Sequence, residues 1–391
     1  MKTILASVLL LIPFSLCAQS NVRYLDEVFS DVSVSTVTYS EEHNLQLDVY
    51  QAIGDTLSNR PLLIIAHGGS FIAGVRSNPT MVSLGNTFAK RGYVVASISY
   101  RLIPFTDLFS SQSAIIGVAR ALSDGRGAVR YFRKTVALQD NHFAIDKDQI
   151  YFGGNSAGGV IALHAAFMQE EDLTDPDLIS AFNLLGGIEG DSGNEGYSSE
   201  VRGAISLAGA IADVNFITLT ENDKLLLTCH GDQDETVPYL CGQPLSSDIL
   251  PELCGGGAIQ AHTASIGFTN HKHLLFENAD HVPWLVGSSV EEQMIDFVST
   301  HLYNSLDSQN VELKEKEANR LTAFPNPSSS KFKISTLSKQ YKVIVYNLNG
   351  VEVFRTENTN EINIEQLPKG IYTVQLIEDK QQSTFTRVVK M

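Results

Sequence analysis

Short apolar runs alternate with amphipathic segments along most of the chain. An alternating segment at residues 34–50 comes first, and the apolar runs then occupy residues 62–66, 93–98, 149–152, 204–207, 225–229 and 273–276. Their length and apolar content are typical of buried strands. Amphipathic or apolar segments of helical length lie at residues 81–90, 114–134, 160–168 and 290–304. Strands that alternate with helices pair in parallel, so the pattern predicts an α/β fold: a mostly parallel sheet flanked by helices on both faces.

One long segment breaks this alternation. Residues 169–200 begin with acidic side chains and continue with glycines, between the predicted helix at 160–168 and the predicted strand at 204–207. The segment is long for a connection within a compact domain. Two interpretations are open: it forms a lid over part of a cleft, or it is a solvated excursion on the surface.

The pattern changes again towards the end of the chain. Residues 306–320 are polar and charged, as in a linker, and residues 321–391 contain short alternating segments without helical ones. Asn349-Gly350 lies between two of these segments and is typical of a hairpin turn. We therefore predict an α/β domain at residues 20–305, a linker at 306–320 and a small all-β sandwich at 321–391.

The first residues have the layout of a secretory signal peptide. A basic start is followed by an apolar run at residues 4–16, too short to span a bilayer, and then by small residues. We expect residues 1–19 to be a signal peptide, cleaved between Cys17 and Ser20. A lipoprotein would be lipidated at Cys17, but Leu16 is larger than that signal usually allows. No other stretch is long and apolar enough to predict a membrane span.

Three further cysteines follow. Cys241 and Cys254 bracket a loop rich in Gly, Pro and Ser. In an oxidising compartment they would form a disulfide worth about 3 kcal/mol, and the alternative is that all three thiols are unpaired. Cys229 ends a predicted strand and is expected to be an inert buried thiol.

Composition and charge narrow the class of protein. The chain has 391 residues, 43% of them hydrophobic, enough for one large core and a smaller domain. The formal net charge is −16. Residues 321–391 contain nine basic and six acidic side chains, a net of +3, which leaves −19 for the rest. This acidity argues against nucleic acid as a partner, because the phosphate backbone would be repelled, and it suits a soluble extracellular protein.

A serine flanked by glycines lies where a predicted strand meets a predicted helix. The pentapeptide G-N-S-A-G at residues 154–158 has Ser156 at its centre, directly after the run at 149–152 and just before the helix at 160–168. This is the pattern of a nucleophile elbow. The glycines suit it because larger side chains two residues either side of the serine would collide with the neighbouring strand and helix.

Polar residues also follow three other predicted strands. The sequence H-G-G-S-F at residues 67–71 follows the first of them, Asp232 and Asp234 follow the strand at 225–229, and His281 follows the last core strand. The carboxyl ends of parallel strands meet at one edge of a sheet. We therefore expect these side chains to lie near Ser156.

With serine, acid and histidine in the order Ser156, Asp234, His281, residues 34–303 resemble the α/β-hydrolase superfamily, and within it the carboxylesterases and lipases whose oxyanion loop reads H-G-G-G. The resemblance implies Ser156 as nucleophile, His281 as general base and Asp234 as the acid that orients it. The family pattern H-G-x-x-D-x-x-V-P favours Asp234 over Asp232, which is then a turn residue.

The same resemblance implies an oxyanion hole formed by the backbone N–H groups of Gly69, Ser70 and Ala157. Ser70 stands where the family usually has glycine, but its N–H remains available. No metal or organic cofactor is needed for this chemistry, and no histidine, cysteine and aspartate cluster has zinc-site spacing. Other histidines near the motifs are weaker candidates for the base, because two are expected to shape loops and two lie in or beside a strand: His67, His230, His271 and His273.

The tail resembles the C-terminal sorting domains of the type IX (Por) secretion system. The resemblance rests on F-P-N-P at residues 324–327, Y-N-L-N-G at 346–350, L-P-K-G-I-Y at 367–372 and V-V-K at 388–390. It implies export through the periplasm to the cell surface or the medium, with the secretion machinery as partner. The rival interpretation is a carbohydrate- or surface-binding β-sandwich.

Together these features predict a secreted serine carboxylic ester hydrolase (EC 3.1.1.-) that acts on a small-molecule or polymer-linked ester. A serine peptidase of the prolyl-oligopeptidase type, which shares the triad order, is one alternative. A non-catalytic binding protein on a hydrolase fold is another. Aromatic residues near the motifs, Phe71, Tyr239 and Trp284, either line a substrate pocket or belong to the core.

Overall fold

The computed structural model describes residues 22–107, 110–247, 250–306, 323–334, 341–347, 351–378 and 383–391. The chain divides into two units between Leu306 and Asp307. The predicted signal peptide, nearly all of the predicted linker and the Asn349-Gly350 turn lie outside the described residues.

The first unit is built around one large sheet. Its described strands are β1 (Val32–Ser40), β2 (Leu45–Ala52), β3 (Arg60–Ala66), β4 (Val94–Ile98), β5 (Ile145–Asn155), β6 (Gly203–Leu207), β7 (Leu225–Gly231), β8 (Cys241–Gly242), β9 (Leu253–Cys254) and β10 (His271–Phe276). Eight of them pair in the order β1-β2-β4-β3-β5-β6-β7-β10. The β1–β2 and β2–β4 pairs are antiparallel and the other five are parallel. The predicted α/β fold is confirmed.

Helices cover both faces of this sheet. They are α1 (Pro79–Lys90), α2 (Ser111–Leu138), α3 (Ala157–Phe167), α4 (Pro176–Asn183), α5 (Gly256–Ile266) and α6 (Ser289–Ser305). Leu63 and Ile65 of β3 face α1 and α6, whereas Leu62 and Ile64 join the main core with α2 and α3. Because both faces are covered, every residue of β3 is buried.

Several elements differ from the predicted ones at their ends. Helix α2 starts earlier than predicted because Ser110 caps it, accepting a hydrogen bond from the amide of Ser113. The segment predicted at 34–50 is two antiparallel strands, β1 and β2. Strand β7 extends to Gly231, since its pairing with β10 continues through His230. His230 therefore lies in a strand, and its predicted position in a loop is wrong.

The segment at residues 169–200 combines features of both interpretations. Its first half contains α4, which packs against α2. Its second half is anchored to α2 and to the loop after β4 by partly buried ion pairs: Glu189 binds Arg130 at 2.8 Å and Asp191 binds Arg101 at 2.6 Å. Such pairing holds residues 189–191 firmly in place, because either partner alone would leave a charge poorly solvated.

The second unit is an all-β sandwich. Its described strands are β11 (Ala323–Phe324), β12 (Lys331–Ile334), β13 (Tyr341–Tyr346), β14 (Glu352–Glu357), β15 (Glu361–Asn363), β16 (Gly370–Glu378) and β17 (Ser383–Lys390). They form two antiparallel sheets, β11-β12-β15 and β14-β13-β16-β17. Side chains of both sheets, among them Phe332 and Val374, share one core. Near the C-terminus, Lys390 is buried and donates hydrogen bonds to the carbonyls of Ile364 and Glu365.

Cys241 and Cys254 form a disulfide across the β8–β9 ribbon, as one of the two interpretations predicts. The bond closes the loop between the two cysteines, which are 13 residues apart. Cys229 is a free buried thiol, and burial raises its pKa.

Removing this bond should destabilise the first unit measurably. The double variant Cys241→Ser/Cys254→Ser should lose about 3 kcal/mol of unfolding free energy, because its unfolded chain is no longer constrained. Urea unfolding checks the value. A reductant should lower the unfolding free energy of the natural protein to that of the variant, and it should not change the unfolding free energy of the variant. Equal stability of the two proteins under oxidising conditions would contradict a stabilising bond.

Candidate active site

Ser156 occupies a strained turn between β5 and α3. Its backbone has φ 55° and ψ −119°, a conformation that non-glycine residues rarely adopt. A Cβ at Gly154 would lie 2.2 Å from backbone atoms of Gly158, and one at Gly158 would lie 2.0 Å from the carbonyl oxygen of Ala66. Only glycine fits at either position, so the crossing of β5, α3 and β3 depends on both.

The three residues predicted as a triad are brought together at the carboxyl ends of β5, β7 and β10. His281 Nε2 lies 2.9 Å from Ser156 Oγ, and His281 Nδ1 lies 2.7 Å from Asp234 Oδ2. Both ring nitrogens of His281 are thus used, one towards the hydroxyl and one towards the carboxylate. The alternative acid, Asp232, is not the partner of His281 in this arrangement, and one of its buried oxygens lacks a hydrogen-bond partner in the described chain.

Asp234 is held as a buried carboxylate. Its Oδ1 accepts hydrogen bonds from the amides of Thr236 and Val237, at 2.9 and 2.8 Å. Burial alone would raise the pKa of Asp234, but the hydrogen bonds from His230, His281 and the Val237 amide outweigh it and hold that pKa well below its usual range. The carboxylate therefore stays ionised beside His281 at any pH at which an imidazole titrates.

His230 is a second histidine on the same carboxylate. It is fully buried, with Nε2 3.1 Å from the carbonyl oxygen of Val237 and 3.3 Å from Asp234 Oδ2. Its Nδ1 accepts a hydrogen bond from the amide of Gly256, so the proton of a neutral ring sits on Nε2, which faces both the Val237 carbonyl and the Asp234 carboxylate. The sequence motif H-G-x-x-D contained this signal, since His230 and Asp234 are only four positions apart.

Two further contacts tie the loops of the site together. Asp280 Oδ1 accepts hydrogen bonds from the amides of His281 and Glu235, at 2.6 and 3.2 Å. Trp284 is buried, and its Nε1 donates to Asn155 Oδ1 at 3.1 Å. The loop that carries His281 is therefore joined both to the loop that carries Asp234 and to the residue before Ser156. Neither the Asp280–Glu235 contact nor the Trp284–Asn155 hydrogen bond was predicted, because each joins loops that are distant in sequence.

The glycine-rich loop after β3 lies against the turn at Ser156. A Cβ at Gly68 would lie 3.1 Å from Ser156 Cβ, and Gly69 and Ser70 both have positive φ angles. In the described chain, no protein atom accepts a hydrogen bond from the N–H groups of Gly69, Ser70 or Ala157. These amides are therefore free to bind an external acceptor.

His67 shapes this loop, in line with the prediction for it. Its Nδ1 lies 2.8 Å from the carbonyl oxygen of Gly68, and its ring stacks on Tyr100 with centroids 4.3 Å apart. Burial lowers the pKa of His67. The remaining candidates, His271 and His273, share Thr228 Oγ1 as a hydrogen-bond partner on the strands β7 and β10.

A cavity of about 290 Å³ opens beside Ser70 and Ala157. Apolar side chains of α2, α4 and the disulfide-closed loop line it, among them Val118, Leu122, Phe182, Leu245 and Leu253. Phe71 also lines the cavity, whereas Trp284 and Tyr239 do not. Of the three aromatic residues near the motifs, the structure thus places one in the pocket.

His164 is a buried polar group in the wall of this cavity. Its Nδ1–H donates to the carbonyl oxygen of Val160 at 2.8 Å, and its Nε2 accepts from the amide of Ala212 at 3.2 Å. Burial lowers its pKa to about 4. The ring is therefore neutral at neutral pH, and both nitrogens are already used.

One group of side chains in the described residues has ligand atoms close enough to hold a metal ion: Cys241, Glu252 and Cys254. Both sulfurs belong to the disulfide, so neither is a thiolate that could bind a metal.

Comparison with known proteins agrees with this architecture. Residues 47–184 match the family model BD-FAE, an α/β-hydrolase-like esterase domain, and residues 322–391 match the model of the secretion system C-terminal sorting domain, Por_Secre_tail. The chain thus combines an esterase-like hydrolase fold with a C-terminal sorting domain for type IX secretion, which directs it to the cell surface or the medium. The resemblance of the tail to these sorting domains is confirmed.

Similar solved structures include esterases. Esterase 2 of Thermogutta terrifontis phosphorylated by paraoxon is 16% identical, with a TM-score of 0.49 over 69% of this chain and 94% of that one. Its butyrate-bound form is 17% identical, with a TM-score of 0.49 and the same coverage. A truncated carbohydrate esterase from gut microbiota is 20% identical, with a TM-score of 0.48 over 71% and 98%. Such values say nothing about substrate. No curated protein matches the chain.

None of the described helices has the length and apolar character needed to cross a membrane.

The burial of His164 predicts a specific loss of stability in acid. Its folded-state pKa is below that of an exposed imidazole, so the unfolded chain binds an extra proton as the pH falls from about 6.5. This group should therefore cost up to about 1.4 kcal/mol of unfolding free energy per pH unit, until the pH reaches about 4. Urea unfolding between pH 7 and pH 4 should show a flatter decline for His164→Gln than for the natural protein.

The exposed His142 provides the control. His142→Gln should follow the natural protein over the whole range. If His164→Gln gives a curve parallel to that of the natural protein, the predicted linkage is wrong.

Proposed function

We propose that this protein is a secreted serine carboxylic ester hydrolase of the carboxylesterase and lipase type (EC 3.1.1.-). One observation carries the proposal: two short hydrogen bonds join Ser156, His281 and Asp234 in an unbroken line at the carboxyl edge of the sheet. In this proposal Ser156 is the nucleophile, His281 the general base and Asp234 the acid that orients it.

The reaction proceeds in two stages. Ser156 Oγ attacks the ester carbonyl carbon while His281 Nε2 takes the hydroxyl proton. The tetrahedral intermediate collapses, the bond to the alcohol oxygen breaks, and His281 returns the proton to that oxygen. Water then gives a proton to His281 as it attacks the acyl carbon, and the acid leaves with Ser156 reprotonated. No step needs a metal or an organic cofactor.

Asp234 serves this cycle through its charge and its fixed position. Each stage passes through a protonated His281, and the buried carboxylate 2.7 Å away stabilises that cation. The two loop amides on its other oxygen stop the carboxylate from rotating away. The hydrogen bond to His281 Nδ1 also keeps Nε2 free to accept the serine proton.

The oxyanion of each intermediate is bound by the N–H groups of Ala157, Gly69 and Ser70. The lack of internal acceptors for these amides in the described chain supports the assignment. Loss of one such donor costs about 3–4 kcal/mol of transition-state stabilisation in comparable enzymes. The N-terminus of α3 adds a favourable dipole at the same place.

We further assign the steps of export to separate parts of the chain. Residues 1–19 direct the protein across the inner membrane and are removed, residues 20–305 carry catalysis, and residues 321–391 engage the type IX machinery after the linker at 306–320. The sorting-domain match over residues 322–391 supports this division. A protein displayed on the cell surface meets polymer-linked as well as small-molecule esters.

Substitutions in the triad test the reaction directly. Ser156→Ala should lower kcat for p-nitrophenyl acetate by at least about 10³-fold. Asp234→Asn should lower it by about 10⁴-fold, because the amide favours the wrong tautomer of His281. The matched control Asp232→Asn, two residues away, should stay within a few-fold of the natural enzyme. After treatment with an organophosphate, mass spectrometry should find an adduct on Ser156 in the natural protein and in Asp232→Asn, and no adduct in Ser156→Ala.

Three results would contradict the proposal. Unchanged esterase activity in Ser156→Ala would favour a non-catalytic binding protein. Loss of activity in Asp232→Asn with retention in Asp234→Asn would reassign the acid. Faster turnover of peptide p-nitroanilides than of any ester, dependent on Ser156, would favour the peptidase.

His230 should act as a positioning residue for Asp234. His230→Leu leaves Asp234 without one buried donor, so kcat should fall by about 10²-fold with KM little changed. His230→Gln retains a donor and should restore much of the lost rate. Steady-state kinetics on p-nitrophenyl acetate, with circular dichroism to verify folding, separate these cases. A folded Leu variant with the natural kcat would rule the role out.

A further inference from the structure

The cavity beside Ser70 and Ala157 lies on one particular side of the catalytic residues. In the proposed reaction the alcohol oxygen receives its proton from His281, so the alcohol must leave on the His281 side. The cavity instead adjoins Ser70 and Ala157, two of the three residues assigned to hold the carbonyl oxygen. None of the described residues after β10, which include His281 and its loop, lines it. This geometry places the acyl part of the ester in the cavity.

The chemistry of the cavity wall selects an apolar group. No charged side chain lines the cavity among the described residues. The polar side chains in the lining are Ser70, Thr236, Ser247 and His164 of α3, and His164 already uses both ring nitrogens within the protein. A hydroxyl or carboxylate placed against the aliphatic side chains of α2 and α4 would lose its hydrogen bonds to water without replacement.

The lining of the cavity extends over several elements. It includes Ser70 and Phe71 of the loop after β3, Val118 and Leu122 one turn apart on α2, and Phe182 of α4. Towards solvent, two exposed aliphatic side chains continue its lining, Ile72 at 44% exposure and Leu245 at 51%. The loop that bears Leu245 is closed by the Cys241–Cys254 disulfide, so this wall is restrained.

We propose that this cavity binds the acyl chain of the substrate and makes the enzyme selective for esters of aliphatic acids of medium length. The assignment rests on the proposed function, because it takes Ser156 as the acylated residue. Binding energy then comes from methylene groups buried along α2 and α4.

A series of p-nitrophenyl esters from acetate to decanoate measures this selectivity. With the natural enzyme, kcat/KM should rise about four-fold for each methylene buried, the equivalent of about 0.8 kcal/mol, and then level off when the cavity is filled. A rate that is flat or falls from acetate onwards would overturn the proposal. If those rates still depend on Ser156, the proposed hydrolase activity stands although the acyl-chain proposal is wrong.

Blocking the cavity provides the sharper test. Val118 is half-buried and lines the cavity from the first half of α2, so Val118→Trp should fill it. The octanoate ester should lose at least about ten-fold in kcat/KM while the acetate ester stays within about two-fold. Leu138→Trp, at the exposed end of the same helix and outside the cavity, is the matched control and should leave the series unchanged.

Alkyl acetates of increasing length distinguish the two sides of the ester. In these esters the alkyl chain of varying length belongs to the alcohol. Val118→Trp should therefore change kcat/KM for all alkyl acetates by the same factor. If the variant instead discriminates among alkyl acetates and not among acyl esters, the cavity binds the alcohol and the proposal is wrong. If Val118→Trp loses the same factor in kcat/KM on acetate and octanoate esters while an organophosphate still labels Ser156, the tryptophan disturbs the site as a whole. Leu122→Phe then repeats the test with a smaller block. An unchanged preference for acyl length in that variant overturns the proposal.

Discussion

The crossing of β5 and α3 over the end of β3 is the constraint on which the site depends. The three backbones pass so closely that a side chain at Gly154 or Gly158 would overlap backbone atoms at 2.0–2.2 Å. This approach forces Ser156 into a positive φ and raises its hydroxyl towards the other loops. Among the residues that the structure describes, none accepts a hydrogen bond from the Ala157 amide at the start of α3. The position of the Ser156 hydroxyl and the free Ala157 amide thus both follow from this close approach.

His281 and Asp234 are tied to that crossing by a set of polar contacts. Trp284 joins the loop that carries His281 to Asn155, and Asp280 joins the same loop to the loop that carries Asp234. On the other side, His230 links Asp234 to Val237 and Gly256, which flank the disulfide-closed loop. Because each buried donor needs its acceptor, these contacts favour one arrangement of the loops. His230 therefore supports both Asp234 and the disulfide-closed loop that lines the cavity.

Much of the fold was accessible from the sequence because the signals were local. Apolar runs of strand length identified the parallel core strands, and the glycines around Ser156 identified the turn. Helix ends were missed where a cap such as Ser110 lies before the first apolar residue of the pattern. His230 was misplaced because the end of β7 is set by its pairing with β10, not by local polarity. The role of residues 169–200 stayed open until their ion pairs with Arg101 and Arg130 were seen.

The sequence by itself determined the α/β alternation, the all-β tail and the residue types of the site, since each is encoded by spacing within a short window. The choice of Asp234 over Asp232 also followed from a linear motif, whose physical basis is the short hydrogen bond to His281. Only the tertiary structure decided which loops are fastened together, whether Cys241 and Cys254 pair, and where an apolar cavity remains beside Ala157. Those outcomes depend on side chains that are distant in sequence, and their distances are set by packing.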